Sequence, residues 1–233
     1  MKKQFIKISA ALLALITTTT AFSSINANAK TVDYKRAPKE YAAKTITKNK
    51  TWANRLNKDG YTFRIKNDPM AYEDSFSKNI KGNQLVHYSN KDTKQFAQKN
   101  INFKVNHIWS YKNGLAANIV SQSGKINGWI GYTSIYNKQI SNKKFKDLMK
   151  IENKICDQAE DLTFYKYEGK NIHAKKISKL NTSINKNLKD AQKAADRLTG
   201  NDEKLAKQSI KETKTFIKNS DIRNLPTLLV GRM

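Results

Sequence analysis

The chain has few of the residues that cross-link a fold, bind structural metal or span a membrane. Its 233 residues include one Cys (Cys156), three Pro and three His. A single thiol has no disulfide partner, and structural zinc sites ordinarily use four Cys or His ligands, so neither a disulfide scaffold nor structural zinc is expected. The one long apolar run lies at the N-terminus, which argues against a transporter with several membrane spans. No metal or other cofactor is predicted.

The N-terminal segment has the three-part pattern of a secretory signal peptide. Lysines at positions 2, 3 and 7 precede a mostly apolar stretch, and Ala27-Asn28-Ala29 supplies a small-x-small cleavage site. The apolar stretch is shorter than the roughly 20 residues of a membrane-spanning helix. We therefore predict cleavage after Ala29, a secreted protein, and no transmembrane segment in the mature chain.

Basic residues outnumber acidic ones more than twofold. There are 44 Lys and Arg against 19 Asp and Glu, which gives a formal net charge of +25. Such an excess attracts polyanions, and counterion release makes the binding weaken as salt rises. For a secreted protein the nearest polyanion is the anionic polymer of a Gram-positive wall, and nucleic acid is not expected as a partner. Because the C-terminal residues lack a complete sortase signal, we predict non-covalent association with the wall.

The composition changes near residue 140. Twelve aromatic residues lie between Tyr61 and Tyr136, against five from Ser141 onward. In the aromatic part, short alternating segments such as Leu115–Ser121 are separated by Gly-containing turns. Short alternating strands at this spacing predict a small antiparallel β-barrel.

The part from Ser141 onward has the periodicity of amphipathic helices. Apolar residues recur every three or four positions in two long stretches and a shorter third one. Gly200 is expected to end the second helix, because helix C-termini favour Gly. We predict an α-helical hairpin or a three-helix bundle in which the apolar stripes pack against one another.

Residue combinations typical of hydrolases are missing. Cys156 falls inside a predicted helix beside Asp157 and Glu160, whose charges disfavour the reactive thiolate. The three His residues are far apart and form no zinc-peptidase motif, and no serine-hydrolase motif occurs. We predict a protein that is not an enzyme. Two alternatives stay open: an accessory wall hydrolase or carboxypeptidase-like protein, and a cationic membrane-active protein that uses its helices.

The stretch 99–137 carries the pattern of a known family. A strand with Trp109 and Tyr111 is followed by a hairpin and by the octet SGKINGWI, which contains Trp129. This pattern resembles the GW modules and related SH3-type cell-wall domains of lactobacilli and other Gram-positive bacteria. One copy is visible here, whereas the family often has tandem repeats, and the helical part lies outside the resemblance.

The resemblance and the patterns together predict an α+β chain whose two classes of structure lie in separate parts. A signal peptide (1–29) and a basic N-terminal arm (30–57) precede a small antiparallel SH3-like β-barrel (58–140). A helical domain (141–222) and a C-terminal tail (223–233) follow. The resemblance implies that the barrel binds an anionic wall polymer, either teichoic acid or peptidoglycan. The helical domain is expected to act as a spacer or as the docking site of a protein partner.

The predicted site consists of aromatic rings and one lysine in or near the barrel. Tyr rings can stack on sugars and hydrogen-bond through their hydroxyls, and Lys can meet phosphates. Trp129 is also large enough to fill a barrel core, so its role as core or ligand contact stays open. The predicted ligand-binding residues are Tyr72, Trp109, Tyr111, Lys125, Trp129, Tyr132 and Tyr136.

Overall fold

The computed structural model of the chain describes residues 32–33, 44–45, 51–73, 76–81, 84–111 and 114–231. The predicted signal peptide lies outside these residues, as does most of the predicted arm. The chain divides into two compact units, Met1–Tyr136 and Asn137–Met233. We call them the sheet unit and the helical unit. The boundary between them falls slightly before the composition change near residue 140.

A mostly antiparallel sheet dominates the sheet unit. Its order is β1-β5-β4-β8-β7-β6-β3-β9, and β2 pairs with β6. The strands are β1 (Val32–Asp33), β2 (Lys44–Thr45), β3 (Phe63–Ile65), β4 (Ser77–Lys81), β5 (Gln84–His87), β6 (Phe103–Tyr111), β7 (Gly114–Ser121), β8 (Asn127–Gly131) and β9 (Ile135–Asn137). Among these described strands no pairing joins β9 back to β1, so the sheet is open.

Alternation along β6 and β7 directs one set of side chains into the core. Val105 and Ile108 on β6 are buried, as are Ala117 and Ile119 on β7. A bulge between Val105 and His107 shifts the register, which is why the buried positions of β6 change from odd to even numbers.

Close contact between β4 and β8 depends on Gly128. A Cβ placed on Gly128 would lie 2.4 Å from the carbonyl oxygen of Ser77. No larger residue fits there without moving one of the two backbones. The neighbouring core is aromatic: the Phe76 ring packs 4.5 Å from Tyr88 and 6.1 Å from Phe96, measured between ring centroids.

The described part of the sheet unit also contains three short α-helices, α1 (Thr51–Leu56), α2 (Pro69–Glu73) and α3 (Asn90–Gln98), and a 3₁₀ turn at Tyr132–Ser134. α1 buries Trp52 and Leu56, so the end of the predicted arm is folded. α3 begins with a capping box, in which the Ser89 hydroxyl and the Asp92 carboxylate satisfy each other's backbone N–H groups.

The helical unit consists of α4 (Lys146–Gly169), α5 (Ala174–Asp196) and α6 (Gly200–Asn219), followed by 3₁₀ turns at Ile222–Asn224 and Thr227–Leu229. The apolar stripes of all three helices form one buried cluster. Gly200, which was predicted to end the second helix, instead begins the third, with a φ of +63° that favours glycine.

The predicted C-terminal tail packs on the helices. Leu225, Leu228 and Leu229 belong to the same buried cluster as the helix stripes. The Glu212 carboxylate accepts a hydrogen bond of 2.6 Å from the backbone N–H of Thr227. This contact holds the start of the last 3₁₀ turn to α6.

Polar side chains are also buried between the helices. Ser209 Oγ and Thr213 Oγ1 on α6 donate to the two carboxylate oxygens of Glu152 on α4, at 2.7 and 3.1 Å. Asn187 on α5 donates to Gln158 Oε1 on α4 at 2.8 Å. The Glu152 hydrogen bonds link α4 with α6, and the Asn187–Gln158 hydrogen bond links α4 with α5. All these groups are buried or partly buried.

The mixed α+β class predicted from the sequence is confirmed, with the helices mostly C-terminal. None of the described helices combines the length and the apolarity needed to cross a bilayer.

Candidate functional site

Five residues on adjacent strands form a polar row across the sheet. The cross-strand register pairs Ser77 with His87 on one side and with Trp129 on the other. Asn118 is in turn opposite both Trp129 and His107. Directly opposed residues of an antiparallel sheet project from the same face. The row therefore runs His87, Ser77, Trp129, Asn118, His107 over five strands, on the face opposite Ile108, Ala117 and Ile119.

Two indole rings are stacked at this row. Trp109, two positions after His107 on β6, lies on Trp129 with ring centroids 3.6 Å apart and planes inclined by 24°. Trp129 is 7% exposed, and Trp109 is half-buried. With Ala116, the pair forms a small apolar cluster separate from the main core. The Nε1 atom of Trp129 is buried and has no hydrogen-bond partner among the described residues.

At the β4–β5 end of the row, the hydroxyl of Ser77 is hydrogen-bonded to the imidazole of His87. Ser77 Oγ lies 2.7 Å from His87 Nδ1. Partial burial lowers the pKa of His87 below its ordinary value. The ring is therefore neutral at pH 7, and it can both donate and accept a hydrogen bond.

The end of the row near β6 carries amides and an imidazole. Asn118 and His107 are both half-buried, and Asn106, the extra residue of the bulge, donates to Asn118 Oδ1 at 3.4 Å. In the next row along the sheet, Lys104 pairs in register with Val120. The Lys104 ammonium lies 5.3 Å from the centre of the Tyr61 ring. The face thus offers one cation near several neutral hydrogen-bonding groups.

The structure brings together only two of the seven predicted site residues, Trp109 and Trp129. Tyr132 was predicted as a surface platform, and that prediction is wrong. Its ring is 4% exposed and packs 5.5 Å from the Trp52 ring, because α1 covers it. Trp129 is buried, but by Trp109 on the polar face and not in the main core.

Three of the other predicted residues lie away from the row. Lys125 is exposed in the turn between β7 and β8, and Tyr136 is half-buried on β9. Tyr72 is in α2, where its hydroxyl donates to Asn67. Tyr111 ends β6, and its side chain lies outside the described part of the structure.

Sequence reasoning missed four members of the row. His107 had a usable signal, since residues two apart on one strand share a face and Trp109 was already a candidate. Asn118 alternates with the buried positions of β7, so its face could also have been inferred. Ser77 and His87 had no such signal, because the pairing of β4 with β8 is set by tertiary structure.

Among the described residues, no group of three or more His, Cys, Asp or Glu side chains could hold a metal ion. Comparison with known proteins adds no constraint: no family model, no curated protein and no solved structure matches the chain.

Proposed function

We propose that the protein is a secreted, non-enzymatic cell-surface protein that binds an anionic polymer of the bacterial wall, teichoic acid or peptidoglycan, through its sheet unit. The observation that carries the proposal is the stacked pair Trp109 and Trp129 within a row of hydrogen-bonding side chains. An SH3-like relationship of the sheet unit is part of the proposal, and its support is the GW-type sequence pattern over residues 99–137.

The chemistry of the row suits a sugar-containing polymer. A half-buried indole such as Trp109 presents a flat apolar surface to the C–H groups of a sugar ring. Neutral His87, with Asn118 and His107, supplies donors and acceptors for hydroxyls.

Charge supplies the second component of binding. The chain carries 44 Lys and Arg against 19 acidic residues. Phosphodiesters of a teichoic acid would release counterions on binding, so the affinity should fall as salt rises. The aromatic component depends less on salt, and the two can be separated by titration.

The test is sedimentation of the chain Lys30–Met233 with purified Gram-positive walls, before and after removal of teichoic acid, at low and high salt. We expect binding that falls on teichoic acid removal and on salt addition. Trp109→Ala should weaken it roughly tenfold, which corresponds to about 1.4 kcal/mol. Trp52→Phe, a change in the same unit away from the row, is the matched control and should bind as the unchanged chain does.

Each other outcome of this experiment has a meaning. Binding that survives removal of teichoic acid but is lost in Trp109→Ala would identify peptidoglycan as the ligand. Binding that is equal in Trp109→Ala and in the control would exclude the row as the site. No sedimentation with either wall preparation would overturn the proposal.

One contact favours the enzymatic alternative, an accessory wall hydrolase. Ser77 Oγ is within hydrogen-bond reach of His87 Nδ1, and a neutral imidazole is the form that acts as a base. Ser77 is only 3% exposed, however, which leaves little access for a substrate. A serine-reactive phosphonate should therefore not label the protein, and labelling that disappears in Ser77→Ala would establish the alternative.

A further inference from the structure

The tip of the hairpin between α4 and α5 exposes apolar side chains to an unusual degree. Tyr167 is 91% exposed and Ile172 is 80% exposed. In the described part of the chain the one other large hydrophobic side chain with comparable exposure is Met70, in the sheet unit. Two such residues within one turn make this tip the most apolar exposed point of the helical unit.

Exposed lysines lie close in sequence to the apolar tip. Lys166, Lys170, Lys175 and Lys176 are all exposed. Glu168 Oε2, on the same tip, lies 3.1 Å from His173 Nε2. Exposed lysines next to exposed Tyr and Ile are the pattern of a surface that inserts apolar groups at an interface while its cations meet anionic headgroups.

Local contacts hold the tip in a defined shape. Gly169 ends α4 with a φ of +140°, a backbone conformation that favours glycine, and the His173 N–H donates to its carbonyl at 3.2 Å. The Tyr165 ring packs 4.9 Å from His173, and Lys176 lies 4.7 Å from the centre of the same ring. Tyr167 and Ile172 are therefore presented by a preformed turn.

A shallow groove of about 410 Å³ adjoins the tip between the two helices. Its lining includes Lys166, Lys170, Ile177, Ser178, Asn181 and Thr182. Two ammonium groups next to hydroxyl and amide side chains match a phosphate that carries a polyol. Lys166 and Lys170 belong both to the groove and to the tip, so one lipid headgroup can occupy the groove while the tip enters the bilayer interface.

We propose that the α4–α5 hairpin tip docks on the surface of a membrane rich in anionic phosphoglycerol lipids, with Tyr167 and Ile172 in the interface and Lys166 and Lys170 on the phosphate. This inference concerns the helical unit and does not rest on the wall-binding function of the sheet unit. A soluble polyanion would meet the lysines, but it would leave Tyr167 and Ile172 exposed, which is why the membrane is the favoured partner.

The test is vesicle flotation of the chain Lys30–Met233, which lacks the apolar N-terminal segment. One set of vesicles contains phosphatidylglycerol and phosphatidylcholine, and the other contains phosphatidylcholine alone. The variants are an apolar change, Tyr167→Ser with Ile172→Ser, and a basic change, Lys166→Gln with Lys170→Gln. The matched control is Lys186→Gln with Lys189→Gln, which removes the same charge from exposed positions farther along α5.

We expect partition onto the anionic vesicles only, a loss of at least about fivefold in both tip variants, and a loss of less than about twofold in the control. Unchanged far-UV circular dichroism would show that all variants keep their helices. If the apolar variant floats as the unchanged chain does, Tyr167 and Ile172 do not enter the interface and the proposal is wrong. Equal losses in the basic variant and the control, or no flotation, would also overturn it.

Discussion

The two units place polar side chains in opposite ways. In the sheet unit, His87, Ser77, Asn118 and His107 lie in a row on one face of the sheet, beside stacked indoles. In the helical unit, Glu152 is buried and accepts hydrogen bonds from two hydroxyls on a neighbouring helix. Buried polar groups that are hydrogen-bonded between helices specify packing, whereas half-buried groups on a sheet face, such as Asn118 and His107, can also contact a ligand. Similar residue types therefore serve two different purposes in one chain.

The largest expected effect is the loss of the buried carboxylate. Glu152→Ala should lower the free energy of unfolding by about 2–3 kcal/mol, because it leaves a cavity and removes the acceptor of Ser209. Urea denaturation followed by far-UV circular dichroism would measure it. Glu203→Ala, at an exposed ion pair on α6, is the control and should cost less than about 0.5 kcal/mol.

A triple variant sharpens that prediction. Replacing the whole network with apolar residues, Glu152→Leu with Ser209→Ala and Thr213→Val, should restore stability to within about 1 kcal/mol of the unchanged protein. If the triple variant is as unstable as Glu152→Ala, these hydrogen bonds contribute to stability beyond pairing one another's polar groups.

Replacing a polar residue of the row with an apolar one should affect binding and leave stability nearly unchanged. Asn118→Leu should leave the melting temperature nearly unchanged but weaken wall binding roughly fivefold, since one hydrogen bond contributes about 1 kcal/mol. Sedimentation with purified walls and a thermal melt would measure the two effects. The control Gln122→Leu removes the same amide from an exposed turn, and a similar loss of binding there would contradict a role specific to the row.

A smaller effect should appear in the pH dependence of stability. Burial lowers the pKa of His87 in the folded protein, so the unfolded chain binds a proton first as pH falls. Its contribution is present above the unfolded value near 6.5 and is lost at lower pH. We expect His87→Asn to flatten the fall in melting temperature between pH 7 and pH 5.

Tryptophan fluorescence suits this measurement, because Trp52, Trp109 and Trp129 all lie in the sheet unit. His173→Asn is the control, because His173 lies in the helical unit, which contains none of these tryptophans. Parallel slopes for the unchanged chain and His87→Asn would refute the prediction.

The smallest effect should come from Glu160, a partly buried carboxylate with like-charged neighbours on α4. Burial, Asp157 and Asp161 together raise the pKa of Glu160. Ionisation of Glu160 is therefore unfavourable in the folded state, and stability is lost as pH rises through its folded pKa. Glu160→Gln should stabilise the protein at pH 7 by no more than about 0.5 kcal/mol, with no gain at acidic pH. Denaturation at both pH values would test this, and destabilisation at pH 7 would contradict it.

Much of the secondary structure could be predicted from local pattern. Alternation predicted the strand at Leu115–Ser121, which the structure places in β7 (Gly114–Ser121), and the three- and four-residue periodicity predicted the three helices of the helical unit. Gly200 was assigned to the end of the second helix but begins the third. A glycine with positive φ suits the start of one helix as well as the end of the preceding one. The open sheet differs from the closed barrel that the strand spacing predicted.

The site was only partly predictable. Trp109 and Trp129 were named from the sequence, and the structure stacks them. Tyr132 was misassigned because its burial depends on α1, which lies far from it in sequence. The positions of Ser77 and His87 in the row could not be predicted, because local sequence does not indicate which strand pairs with β4.

By itself the sequence determined the strongly basic charge, the lone thiol, the sheet-then-helix order and the alternation or helical stripe within most elements. These properties follow from composition and from backbone periods of 2 and 3.6 residues, which act over a few positions. The tertiary structure alone decided the polar row, the burial of Tyr132, the Glu152 network and the exposed tip at Tyr167 and Ile172. Those features depend on strand register and helix packing, which bring together residues that are distant in the chain.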